Sequence, residues 1–200
     1  MNIVKVLHDR LVYGRRMRLL AEKLSVHLPR DARLLDVGCG DGMVDLLITR
    51  LRPDVAIQGI DVRVRPHTHI PVTQFDGAGI PHPDGSFDVV MFVDVLHHCE
   101  DPAHLLAEAV RVTRSSVLIK DHTLEGVLAR QTLQFMDWFG NAHHGVPLPF
   151  NFWTLSQWQD CIGRLGLQVR HWQDRLSLYP WPATWLFDRK LHFIALLARS

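Results

Sequence analysis

The chain has 200 residues, an apolar fraction of 47% and a formal charge of +1 with its histidines neutral. That length suits one domain with a substantial core, and so small a net charge supplies no broad field for nucleic acid or an anionic membrane. Cys39, Cys99 and Cys161 are too few and too scattered for a disulfide framework or a zinc ribbon. They suit a reducing compartment. No secretory signal follows Met1 and no run of about eighteen apolar residues is present, so a cytoplasmic protein without a transmembrane segment is expected.

Residues 5–28 read as an amphipathic helix, with Met17, Leu20, Leu24 and Leu28 on one face and Pro29 at its end. Arg15 and Arg16 lie off that face and read as solvated. Residues 33–37 form a buried strand, and Val44, Leu47, Ile48 and Leu51 mark the next helix, closed by Pro53. Val55 to Ile60 is a second strand, ending at Asp61, and Val72 to Phe75 a short third, ending at Asp76. The cluster Pro81-His82-Pro83-Asp84-Gly85-Ser86 is a turn before Phe87 to Val93, which is apolar enough for a central strand. Asp101-Pro102 is a helix start, with Leu105, Leu106, Ala109 and Val110 on the buried face.

Val117 to Lys120 reads as another strand. From Thr123 the pattern turns helical, with Leu124, Leu128, Phe135 and Phe139 on one stripe, and the prolines and glycine between His143 and Phe152 stop it. Thr154-x-x-Gln157 is a capping box ahead of Trp158, Ile162 and Leu165, and Gly166 fits the stop. Leu167 to Trp172 and Leu191 to Ala198 are the last strands. Strands alternating with helices predict an α/β fold, a parallel-dominated sheet covered on both faces. One domain is expected: a helical cap over 1–30, a cofactor-binding half over 31–125, and acceptor-side helices with the final strands over 126–200. All six tryptophans lie from Trp138 onward. Core is the first reading for them, walls of an acceptor pocket the second and an interface the third.

The chemistry starts at Leu34-Leu35-Asp36-Val37-Gly38-Cys39-Gly40-Asp41-Gly42. An apolar strand ends in an acid, three glycines follow at alternate positions, and a helix begins. Glycine lets backbone approach a ligand, and ligands bind at the carboxyl ends of strands in open α/β sheets. A dinucleotide fingerprint has the spacing G-x-G-x-x-G; here the spacing is G-x-G-x-G and Met43 stands in place of the third glycine. The turn has no basic residue for a diphosphate. Its acids, Asp36 and Asp41, suit a ligand with a cationic end.

Four ordered stretches carry a family resemblance: Leu34 to Gly42; Gly59-Ile60-Asp61; Phe75-Asp76-Gly77 with Pro81-x-Pro83-Asp84-x-Ser86-Phe87-Asp88; and Val93-Asp94-Val95-Leu96-His97-His98. With them the chain resembles the class I S-adenosylmethionine-dependent methyltransferases, small-molecule branch, typified by quinone-biosynthesis methyltransferases. The resemblance covers roughly residues 30–125. It implies a Rossmann-like three-layer sandwich whose mostly parallel seven-stranded sheet ends in an antiparallel strand. It also implies S-adenosyl-L-methionine as cofactor. Gly38, Cys39 and Gly40 are then expected under its methionine part, Asp36 near its amino group, and Asp61 with Val62 at the ribose. Asp76 and Gly77 are expected at the adenine, and Val93 and Asp94 beside the sulfonium.

The expected acceptor is a small hydrophobic or aromatic molecule, and a homodimer is compatible with the sequence. A base is needed only for a protonated nucleophile, and the candidates are His97, His98, Asp121, His122, His143 and His144. Tyr13 or Arg15 is placed to fold over the cofactor carboxylate. His67-x-His69 lacks a third ligand at recognisable spacing, so no metal is expected. Two other readings are a nicotinamide-dependent oxidoreductase and a protein that binds the cofactor without transferring its methyl group.

Overall fold

A computed structural model describes residues 14–141, 150–181, 183–187 and 189–199. The elements are α1 (Gly14–Ser25), β1 (Arg33–Val37), α2 (Met43–Leu51), β2 (Ala56–Asp61), β3 (Val72–Gln74) and β4 (Phe87–Val93), followed by a 3-10 turn at Leu96–His98. Then come α3 (Pro102–Val112), β5 (Thr113–His122), α4 (Ala129–Asn141), α5 (Leu155–Arg164), β6 (Leu167–Gln173), α6 (Ala183–Phe187) and β7 (His192–Arg199). Tyr13, His143 and His144 lie outside the described residues, as does the predicted helix before Gly14.

The seven strands form one sheet in the order β3-β2-β1-β4-β5-β7-β6. The pairings from β3 to β5 are parallel, and β7 runs antiparallel to both of its neighbours, as expected. Alternation along each strand sorts side chains to the two faces. Leu34, Val89, Met91, Leu118 and Ile194 meet Met17, Leu20 and Leu24 of α1 and Ile48 of α2. Leu35, Val90, Phe92, Ile119 and Phe193 meet Leu105, Leu106 and Ala109 of α3 and Trp158 and Ile162 of α5. Helix, sheet and helix make three layers. Asp101 caps α3 by accepting from His104 N at 2.9 Å, and the capping box at Thr154 and Gln157 opens α5.

Three expectations are corrected. The strand predicted from Val117 to Lys120 runs from Thr113 to His122. Its end pairs with β7 as far as His122 and His192, so Asp121 and His122 are buried in the sheet. The helix expected from Thr123 begins at Ala129, after positive φ at Gly126 and Leu128. Its buried face is Ala129, Leu133 and Asp137; Leu128 and Phe135 are exposed, and the side chain of Phe139 is outside the described set. Leu51, expected on the buried face of α2, is half exposed. The tryptophans divide. Trp158 is core with Trp153 and Trp172 against it, whereas Trp138, Trp181 and Trp185 are exposed.

Candidate active site

Chain order reverses between β1 and β4, so the carboxyl end of β1 is the switch point at which a crevice opens. The glycine turn sits there. Gly38 N donates to Ile60 O at 2.7 Å and Gly42 N to Cys39 O at 2.9 Å. Gly38 and Gly42 have φ of 76° and 75°, and a Cβ on either would lie 2.6 Å from Val95 or Ile70 respectively. Both therefore serve the packing of the turn. Gly40 differs: its φ is 62°, but a Cβ there would meet nothing within 4 Å. The space above Gly40 is open. The Cys39 sulfur fills the room that a Cβ on Gly59 would need, and burial with nearby Asp36 pushes its thiol far up.

The acids have unequal surroundings. Asp36 is 2% exposed and faces Asp45 of α2, which is fully buried. Burial, then Asp45, pushes Asp36 well above the usual carboxylate range, and burial pushes Asp45 up to about 6. Asp36 lies beneath the turn, and Asp36 Oδ1 and both Asp45 oxygens have no hydrogen-bond partner among the described residues. Asp61 ends β2 and holds the turn: Oδ2 accepts from Gly40 N at 2.9 Å and Oδ1 from Arg63 N at 2.9 Å. The adjoining Val62 is exposed. Asp76 Oδ1 accepts from Ala78 N at 2.9 Å and Gly79 N at 3.0 Å, which lowers its pKa. A Cβ on Gly77 would lie 3.0 Å from Val62, so those two residues adjoin.

Val93 ends β4 and Asp94 follows it. Asp94 has φ of 59° and is held by two cations. Arg16 Nη2 of α1 lies 2.5 Å from Asp94 Oδ2, and Lys120 Nζ of β5 donates to Asp94 Oδ1. Burial would raise the Asp94 pKa, but Lys120 and Arg16 hold it well below the usual range. Arg15 donates from Nη1 to Leu178 O at 3.0 Å, tying α1 to the segment before α6.

Beyond Asp94 lies a buried histidine cluster. Asp121 Oδ2 accepts from Leu96 N at 2.9 Å, and its Oδ1 accepts from His122 N at 2.8 Å and from His97 Nδ1 at 2.6 Å. His97 Nε2 and His98 Nε2 lie 3.8 Å and 3.4 Å from Asp137 Oδ1 of α4. Burial alone would push His97 down, but Asp121 outweighs it and, with Asp137, pushes it up to about 9. His122 goes the other way, to about 4, through burial and the neighbouring Lys120 and His97. His192 of β7, 3.3 Å from Lys120 Nζ, is also lowered by burial and Lys120. Phe152 stacks on His97 with ring centroids 5.2 Å apart.

Comparison with known proteins gives this arrangement its family. The family described as "Methyltransferase domain" matches residues 8–172. The chain belongs to the S-adenosylmethionine-dependent methyltransferases. The chain is 32% identical to 27-O-demethylrifamycin SV methyltransferase of Amycolatopsis mediterranei (strain S699) over 48% of its own length and 40% of that one's. It is 29% identical to ajmaline N-methyltransferase of Rauvolfia serpentina over 68% of this chain and 59% of that one. It therefore spans about two fifths to three fifths of the length of these relatives. A solved S-adenosylmethionine-dependent methyltransferase from Aquifex aeolicus has the same fold, with a TM-score of 0.64, 16% identity and full coverage of both chains.

Several polar residues of the chain escaped the sequence reading. Arg16 is part-buried on Asp94 and is not a solvated arginine. Asp45, Lys120, Asp137 and His192 are buried, and the sequence reading gave none of them a role. The available signal was a polar residue interrupting a buried face: Asp45 one turn before Ile48, and Lys120 at the end of an apolar strand. Among the described residues no helix is long and apolar enough to cross a membrane.

Proposed function

We propose that this chain binds S-adenosylmethionine across the glycine turn and transfers its methyl group to a small hydrophobic or aromatic acceptor. The carrying observation is the open space over Gly40, whose amide is fixed by Asp61 at the switch point of the sheet. A carboxylate has about four lone-pair positions, so Asp61 retains capacity for ribose hydroxyls after taking Gly40 N and Arg63 N. Asp76 likewise turns Oδ1 to its own backbone and keeps Oδ2 for an adenine amino group. Exposed Val62, beside Gly77, supplies an apolar edge for the ring.

When bound, the sulfonium supplies an already activated methyl group and a neutral leaving group, so positioning and exclusion of water supply much of the rate. Asp94 is fixed by Arg16 and Lys120 at the end of β4, which gives that edge a set geometry. Phe150 and Phe152 stand by the histidine cluster with centroids 6.2 Å apart and supply aromatic surface. The named substrates of the two relatives, both small molecules, support an acceptor of that class.

The test is calorimetric binding of S-adenosylhomocysteine, then labelled S-adenosylmethionine with fractionated cell extract and mass identification of the product. Asp61→Ala is expected to weaken cofactor binding about 10- to 100-fold through the loss of charge-assisted hydrogen bonds. Absence of binding by the wild type, or unchanged binding by Asp61→Ala, rejects the site assignment.

A further inference from the structure

We infer that His97, His98 and Asp137 form a binding site for one divalent transition-metal ion of the zinc class. Among the described residues, three ligand atoms from two elements converge: Nε2 of both histidines, from the 3-10 turn, and Oδ1 of Asp137, from α4. His97 and Asp137 are buried, and the side chain of His98 is 17% exposed.

The separations are the main argument. Nε2 lies 3.8 Å and 3.4 Å from the carboxylate oxygen. These distances are long for a hydrogen bond, which prefers about 2.7–3.2 Å. Four-coordinate zinc with bonds of about 2.0–2.1 Å holds its ligand atoms about 3.3 Å apart. Both nitrogen–carboxylate separations thus suit an ion between the groups better than a proton, and all three ligand atoms lie within 4.8 Å of one another.

The surroundings agree. His97 Nδ1 contacts Asp121 Oδ1 at 2.6 Å, and Asp121 is itself fixed by Leu96 N and His122 N. A carboxylate on the far nitrogen keeps Nδ1 protonated and aims Nε2, the usual outer partner of a metal-binding histidine, and the ion takes the Nε2 lone pair by displacing the proton that Asp137 otherwise favours there. His98 is aimed by its ring contact with His97, with centroids 4.0 Å apart. Two imidazoles and one carboxylate suit zinc, iron, cobalt or nickel rather than magnesium or calcium, which favour all-oxygen sites. The alternative triad His97, Asp121 and His122 is less suitable, because both Asp121 oxygens already accept backbone N–H groups. Three protein ligands leave a fourth position for water or for an oxygen or nitrogen of an acceptor. That last role rests on the methyl-transfer reading; occupancy of the site does not.

The experiment uses the full chain without a polyhistidine tag, stripped with chelator and titrated with Co2+, followed by Zn2+ competition. Tetrahedral d–d bands that saturate near one equivalent are expected, with displacement by Zn2+. His98→Ala and Asp137→Asn should each weaken Co2+ binding at least about 10-fold, and Asp121→Asn about 10- to 100-fold. Binding of S-adenosylhomocysteine, measured on every variant, reports that the fold and the cofactor site persist. The inference is overturned if no bands appear, or if the bands survive both His98→Ala and Asp137→Asn. Nitrogen-15 spectra that keep His97 Nε2 protonated in saturating Zn2+ also overturn it.

Discussion

The Asp36–Asp45 pair puts two buried carboxyl groups beside the glycine turn, and no cation is among the groups that shift either one. Burial pushes Asp45 up to about 6 and Asp36 well above the usual carboxylate range, so folding favours their protonated forms. For a carboxyl raised in this way the stabilisation is complete below its unfolded value, near ~3.9, and is lost as pH climbs through the folded value. The share of stability that Asp45 carries should therefore fall between pH ~4 and ~6. Asp45→Asn keeps the shape and removes the charge. The variant is expected to be more stable than wild type at pH 8, by on the order of 1–3 kcal/mol, and to lose that advantage at pH 4. Urea midpoints at the two pH values check this; a variant weaker than wild type at pH 8 contradicts the assignment.

The carboxyl end of β5 is the most polar buried element. Lys120 and Asp121 are fully buried and His122 nearly so, each facing a different partner. Lys120 reaches Asp94 on β4 and His192 on β7, whereas Asp121 holds the 3-10 turn. Removing one member of a buried ion pair leaves an uncompensated charge and costs about 3–5 kcal/mol. Lys120→Met is expected to lose that much in thermal or chemical unfolding, and Lys120→Met with Asp94→Asn to recover part of it. A double variant no better than Lys120→Met would mean that the lysine acts elsewhere.

The same element shows why one stretch was legible and another was not. Apolar runs with period 2 or 3.6 located β1, β4, α3 and α5 to within about two residues, because burial there is achieved by hydrocarbon. β5 continues past Lys120 because its polar end is paired with β7, a partner far away in sequence that no local pattern reveals. α4 was misplaced for a related reason: its inward face includes Asp137, so the apolar residues Leu128 and Phe135 marked the wrong stripe. The glycine turn and the places of Asp61 and Asp76 after their strands were readable because local sequence marks them. The assembly of Arg16, Asp94, Lys120, Asp121 and Asp137 was not, since it comes from four separate segments.

At the scale of the molecule, apolar surface is distributed unevenly. Trp158 is 2% exposed in the core, whereas Trp181 and Trp185 are 84% and 76% exposed beside an open cleft of about 550 Å³ that Arg175, Arg189 and Lys190 also line. A contact from Arg189 Nη2 to Thr132 Oγ1 at 3.4 Å joins that cleft to α4, where Phe135 and Trp138 are exposed. Iodide is expected to quench the emission of these outer tryptophans and to spare Trp158. Trp181→Phe with Trp185→Phe should remove much of the quenchable signal while altering stability by no more than about 0.5 kcal/mol each, the usual range for surface changes. Unchanged quenching, or a large drop in stability, would place those side chains inside the fold.

The position of β7 has a consequence for synthesis on the ribosome. β7 is the last described strand, yet it lies between β5 and β6 and is the sole described neighbour of β6. About 70 residues separate its first residue, His192, from the end of β5 at His122. At the usual elongation rate of about 5–20 residues per second, the nascent chain carries an open β5 edge for roughly 4–14 s. During that interval Lys120, Asp121 and His122 lack the strand that closes over them. Their charge guards the exposed edge against pairing with another chain, as charged residues do on natural sheet edges. The polar end of β5 thus protects the unfinished protein before it helps to organise the finished one.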